Sequence, residues 1–224
     1  MIQIKKGKEP RALLEYRKQE FSSYKDMPSE VKRDVLSSLM LEQGHLCAYC
    51  MRRIELNGKK ERRATIEHCL PQAVSDVNRL NYKNMVAVCS GNRDAHLNKD
   101  KTCDAKRGSL PSEQQRMKKI DVFDGHTLDL IQYGSDGGIF SKDPDVDEDL
   151  NERLNLNCET LRLGDCRKQA LNALQCNISK KYPNKDVPQD YFQKLLDRYT
   201  TQTGKKPPYV GILIYWLKKK IHRI

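Results

Sequence analysis

Apolar residues recur at helical spacing in several parts of the chain. Val31, Val35, Leu36, Leu39 and Met40 form one stripe and Gly44 supplies a stop, which predicts a helix from about Ser29 to Gln43. A shorter helix is expected from Pro10 to Glu20, with proline in its first turn. Ile2-Gln3-Ile4 reads as a short strand. Arg52–Leu56 and Arg63–His68 read as two strands about an Asn57-Gly58 turn. Asn81 leads a loop into the short apolar segment Met85-Val86-Ala87-Val88, residues 91–102 are polar and loop-like, and a helix is expected to open close to Cys103. Past residue 120 the pattern changes. Residues 134–149 are rich in Gly, Asp and Ser, six acids fall between Asp143 and Glu152, and the stretch predicts an exposed loop or helix lead-in. Leu154, Leu161, Leu171 and Leu174 give residues 150–178 helical spacing, residues 188–199 form another helix candidate, and residues 209–221 are the most apolar.

Composition adds a charge to this outline. The 224 residues carry 41 Lys and Arg against 30 Asp and Glu, a net of +11. Residues 1–120 hold 25 cations and 15 acids, a net of +10, so nearly all the excess lies in the first half. It is densest at Arg52, Arg53, Lys59, Lys60, Arg62 and Arg63, a patch suited to neutralising the phosphates of a polyanion. The longest apolar run, Tyr209–Leu217, is nine residues, against about 20 needed to span a bilayer. With no basic-then-apolar leader in Met1–Lys6, the expectation is a soluble, cytoplasmic protein without a membrane partner.

Eight cysteines in such a compartment point to metal binding or buried thiols instead of disulfides. Cys47-Ala48-Tyr49-Cys50 is a CxxC knuckle, and Cys89 and Cys103 follow. Four thiolates can close a tetrahedral zinc site with no open position, which is the structural kind. A redox CxxC is the competing reading, but no βαβ pattern surrounds this one. Cys69, Cys158, Cys166 and Cys176 are expected to be buried free thiols.

The chemistry concentrates around Glu67-His68, Asn84 and Asp104. Phosphodiester hydrolysis needs an activated water and neutralisation of charge on the phosphate and leaving oxygen. A neutral imidazole can take the water's proton, and a divalent cation on carboxylate or amide oxygens can act as the Lewis acid. The order Cys47-x-x-Cys50, Glu67-His68, Asn84-x4-Cys89, Cys103-Asp104 resembles the zinc-supported branch of the HNH endonucleases. That resemblance implies an α+β protein: a small ββα-metal core with a structural zinc, embedded in a mainly α-helical body. It implies His68 as general base, Glu67 and Asp104 as ligands of a catalytic Mg²⁺ or Mn²⁺, and Asn84 as the residue fixing the loop that orients His68. The pattern departs from the family between Cys89 and Cys103, where thirteen residues replace a short CxxC. Asn92 and His96 therefore stand beside Asp104 as alternatives for the last metal ligand.

This motif covers residues 40–110. Over the whole chain Ile2-Gln3-Ile4, Cys103-Asp104 with Lys106-Arg107-Gly108, Leu154-Asn155-Leu156-Asn157 and Pro208-Tyr209-Val210-Gly211 resemble the PtuB-like HNH effectors of Septu-type and retron-associated antiphage systems. The resemblance implies a partner ATPase of the ABC or SMC type (PtuA-like) and, in the retron version, a reverse transcriptase with its DNA–RNA product. The expected organisation is an N-terminal helical segment (1–45), a zinc-supported nuclease core (46–120) and a mainly helical region for partner docking (121–224). A zinc-stabilised nucleic-acid-binding adaptor without catalysis is the alternative function.

Overall fold

The computed structural model describes residues 1–71, 79–184, 186–201 and 203–222. Over these described residues the chain is a helix-rich α+β protein with two small two-stranded sheets. Helices α1 (Arg11–Arg17) and α2 (Ser29–Glu42) come first, and both follow a proline. Helix α2 buries Val31, Val35, Leu39 and Met40, the stripe that predicted it. Gly44, at φ 65°, stops it: His45 N–H bonds the Met40 carbonyl at 2.7 Å and Gly44 N–H bonds that of Leu41 at 3.2 Å. This is the Schellman arrangement, in which a left-handed glycine lets the last carbonyls find donors.

Strand β1 (Ala64–His68) pairs antiparallel with β2 (Met85–Cys89), from Ala64 opposite Cys89 to His68 opposite Met85. The short helix α3 (Cys103–Arg107) packs on β2. Here the sequence expectation needs correcting. The Asn57-Gly58 turn forms, with Gly58 N–H on the Glu55 carbonyl, but residues 52–56 make no strand and contribute only single bridges, Leu46 with Arg53 and Glu55 with Arg63. The apolar segment after Asn84 is the true partner of β1. All five of its residues are buried, because helices α2 and α3 pack on this strand. Ile2-Gln3-Ile4 is not a strand either, although Ile4 N–H bonds the Val122 carbonyl.

In the second half, α4 (Gly125–Asp129) precedes a hairpin of β3 (Ile131–Tyr133) and β4 (Ile139–Ser141). Residues 134–149 are thus structured: they contain the hairpin turn, β4 and helix α5 (Pro144–Glu148), capped by the Asp143 carboxylate on Val146 N–H. A π-helical turn follows over Asp149–Arg153. Asp149, one of the six clustered acids, is fully buried, because its carboxylate accepts from the backbone N–H groups of Lys118, Lys119 and Ile120 at 2.8, 2.8 and 2.9 Å. The predicted continuous helix over 150–178 breaks, and α6 begins at Leu163 (Leu163–Lys181). Helices α7 (Gln189–Thr201) and α8 (Val210–Ile221) form a packed pair. Among the described residues, no helix is long and apolar enough to cross a membrane.

One buried cluster runs from Met1 and Leu13 through β2 to Leu171, Leu213 and Leu217. Of the four remaining cysteines, Cys158 is buried, Cys69 and Cys166 are half-buried and Cys176 is exposed on α6. The expectation of burial fails for Cys176, which lies on the solvent side of its amphipathic helix, away from Leu171, Leu174 and Ile178.

Candidate metal centre and strand-end cluster

Cys47, Cys50, Cys89 and Cys103 converge with all their sulfur atoms within 4.8 Å of one another, and all four are buried. Closest Sγ–Sγ separations are 3.8 Å for Cys47–Cys103, 3.7 Å for Cys50–Cys89 and 3.7 Å for Cys89–Cys103. A tetrahedron with metal–sulfur bonds of about 2.3 Å has edges of about 3.8 Å, so the spacing fits one metal ion. Left to themselves, the thiols would not ionise together. Burial opposes charge on Cys47, but hydrogen bonds from Cys103, Cys50 and Cys89 outweigh it and hold that thiol well below its ordinary value. Burial and the neighbouring Cys47 push Cys103 well above it. A cation is what allows several thiolates to share one dry space.

The frame around this site comes from distant segments. In the knuckle, Met51 N–H bonds the Cys47 carbonyl at 3.0 Å and Cys47 N–H bonds that of Arg52 at 2.9 Å. The Gln43 amide both accepts from Ala87 N–H and donates to the Ala87 carbonyl, each at 2.7 Å, which fixes β2 against the end of α2. Cys103 N–H donates to the Leu154 carbonyl at 2.8 Å, and the Thr102 hydroxyl donates to the carbonyls of Leu154 and Asn155. Tyr209 N–H bonds the Met51 carbonyl at 2.9 Å. Gly211 lets the chain come close there, since a Cβ would stand 2.6 Å from the Tyr133 hydroxyl and 2.8 Å from Met51 Cε and would make them shift. Two of the C-terminal motifs singled out in the sequence, 154–157 and 208–211, therefore brace the four-cysteine site.

His68 closes β1 and is 3% exposed. Its Nε2 lies 2.9 Å from the Arg79 carbonyl, and the Tyr24 ring meets it edge-on at 4.5 Å. A carbonyl only accepts, so Nε2 carries the proton and the basic lone pair is on Nδ1. Burial lowers the pKa of His68, against the Arg79 carbonyl and the charge of Asp104, which raise it. Asn84 grips the chain just past His68: its Oδ1 accepts from Leu70 N–H at 2.8 Å, its Nδ2 donates to the Leu70 carbonyl at 3.1 Å, and its own carbonyl accepts from Cys69 N–H.

The two carboxylates are separated. Neighbouring residues on a strand point to opposite faces, so Glu67 turns away from the His68 ring. It forms a buried ion pair with Arg107 of α3, which also donates to the carbonyls of His68 at 2.5 Å and Cys69 at 2.9 Å. Asp104, one turn earlier on α3, lies within electrostatic reach of His68 and pairs with Arg93 at 2.5 Å. Burial raises the pKa of Asp104, while Arg93 and His68 draw it down. Asn92 spends its amide on the Asp100 carbonyl and His96 is exposed; of the three alternatives, Asp104 is the one whose charge acts on His68. Among the described residues, no second group of three or more acidic, histidine or cysteine ligands gathers.

The basic stretch divides in two. The Arg53 guanidinium binds the backbone carbonyls of Gly44, His45 and Lys206, and Arg52 is hydrogen-bonded to Tyr209. Lys59, Lys60, Arg62 and Arg63 are exposed. Arg93 was not singled out in the sequence, and Arg107 entered only within Lys106-Arg107-Gly108, since nothing local marks an ion-pair partner 11 or 40 residues away.

No protein-family model matches the chain, and no curated protein matches it.

Proposed function

We propose that this protein is a metal-dependent endonuclease of the HNH type that hydrolyses phosphodiester bonds of nucleic acid. The observation that carries the reading is the arrangement of β1, β2 and α3 around the four cysteines, with His68 ending the first strand, Asn84 gripping the loop behind it and Asp104 at the start of the helix. We assign the four-cysteine site to structural zinc, whose preferred bond length matches the sulfur spacing.

In this mechanism His68 takes the proton of the attacking water at Nδ1, and its lowered pKa keeps the ring neutral for that task. The Arg79 carbonyl holds the tautomer. Arg93, half in solvent, neutralises the scissile phosphate. Asp104 offers an oxygen donor that fits a divalent ion, while Glu67 is engaged with Arg107 and fits that role only after parting from it. Magnesium or manganese bound there would supply Lewis-acid stabilisation of the leaving oxygen. By its resemblance to PtuB-like effectors, the protein acts in antiphage defence with an ABC- or SMC-type ATPase and, in a retron setting, a reverse transcriptase with its DNA–RNA product.

The second reading is a zinc-stabilised nucleic-acid-binding adaptor. It is favoured by the deep burial of His68 and by the arginine on each carboxylate. The two separate when wild type and His68→Ala are expressed with their genomic neighbours and challenged with phage. New breaks in total DNA or RNA that need His68 support the nuclease. Equal DNA and RNA from both, with both proteins soluble and metal-loaded, supports the adaptor.

A further inference from the structure

Helix α8 is apolar nearly all round. Val210, Ile212, Leu213 and Leu217 enter the core, yet Tyr215 and Trp216, on the side toward α6, remain half-buried. A surface helix would ordinarily show solvent a polar face there. Between this side of α8, helix α6 and the β3–β4 turn lies a cavity of about 310 Å³. Its walls include Tyr215, Trp216, Lys219 and Lys220 from α8, and Asn172 and Gln175 from α6. No carboxylate lines it.

The lysines fold back one helical turn over the rings: Lys219 Nζ is 4.6 Å from the Tyr215 centroid and Lys220 Nζ is 5.4 Å from that of Trp216. Lys218 pairs with Asp129 at 2.9 Å, whereas Lys219 and Lys220 have no carboxylate partner among the described residues. A second cavity shares Tyr133 and Tyr215 with this one and is lined by Lys5 and by the Lys218–Asp129 pair. The result is an aromatic wall edged by Lys219 and Lys220, in a half of the chain whose net charge is only +1.

We propose that this groove binds single-stranded nucleic acid, with a base stacked against Trp216 and Tyr215 and the adjoining phosphates on Lys219 and Lys220. Aromatic faces stack on any base and lysines track the backbone, so recognition is by class and not by sequence. The amides of Asn172 and Gln175 add donors and acceptors for a base edge. The inference rests on the reading that the protein handles nucleic acid, but not on its cutting it.

Trp216 is the sole tryptophan, so its emission reports on this groove alone. The probe is an oligothymidylate or oligouridylate of about 16 nucleotides, a length that covers one such site. It is titrated into the full-length His68→Ala protein, loaded with zinc. Saturable quenching is expected. Lys219→Ala with Lys220→Ala should weaken binding about tenfold and flatten the salt dependence of log K by about 1.4, with zinc content unchanged. Trp216→Phe, which keeps a ring, should retain most of the affinity. Each of these results overturns the proposal: an oligonucleotide that binds by anisotropy without perturbing Trp216, indifference to the lysine pair, or equal quenching by inorganic polyphosphate. The first is also what a groove reserved for a protein partner would give. Absence of any oligonucleotide binding overturns it too, and cleavage by the wild type, assayed separately, shows whether the nuclease reading fails with it.

Discussion

The side chain of Asn84 accepts from the Leu70 N–H at 2.8 Å and donates to the Leu70 carbonyl at 3.1 Å, so a side-chain amide stands in for a strand neighbour where β1 has already ended. The bonds hold the backbone two residues past His68. Asn84→Ala strands both Leu70 groups in a part-buried setting, which costs about 1–3 kcal/mol. Thermal unfolding should show that loss. Cleavage should fall further than the folded fraction does, because the His68 ring is no longer held against the Arg79 carbonyl. A cleavage rate that tracks only the folded fraction would remove the positioning role.

Arg107 is the clearest single tie between α3 and β1, and it is 3% exposed. Arg107→Ala leaves the Glu67 carboxylate buried without its cation, a change costing about 3–5 kcal/mol. Arg107→Met combined with Glu67→Gln should recover a large part of that loss, since no uncompensated charge remains. Chemical denaturation of the two singles and the double gives the coupling directly.

Arg93 differs, because its side chain is 57% exposed and its partner Asp104 sits at the edge of the cluster. Arg93→Ala should change stability by less than about 1 kcal/mol. Under the nuclease reading it should lower cleavage on the order of 100-fold by removing a donor to the phosphate. Measuring melting temperature and cleavage on one preparation tests both halves of this prediction.

Removing the metal should loosen more than the knuckle. Tyr209 N–H is bonded to Met51, and the Lys206 carbonyl is held by Arg53, so the segment leading into α8 is anchored on residues next to Cys50. Chelation, or Cys50→Ser, should speed amide hydrogen exchange at Met51, Arg52 and Tyr209–Leu213 while the α6 interior keeps its protection. Elemental analysis of the untreated protein should give about one zinc per chain. Uniform loss of protection would mean that the site holds up the whole fold.

Helix α2 and the four-cysteine cluster were legible in the sequence because each signal is self-contained: a one-faced stripe closed by Gly44, and thiols whose number and spacing suit one ion. The pairing of β1 was not. Asn57-Gly58 makes a local turn, but Cys89 must reach Cys47 and Cys50, and that requirement places β2 beside β1. The buried Asp149 was hidden for a similar reason, since the three N–H groups that hold it lie about thirty residues earlier. Glu67, His68, Asn84 and Asp104 could be named from the sequence. That arginines hold both carboxylates could not, since an ion pair between distant positions leaves no spacing to read.

The most direct test uses the purified, zinc-loaded protein with Mg²⁺ or Mn²⁺ and labelled DNA and RNA, comparing wild type with His68→Ala. The account predicts metal-dependent cleavage of one substrate class by the wild type and its loss in His68→Ala, with zinc content and folding unchanged. Cleavage that persists in His68→Ala would contradict it.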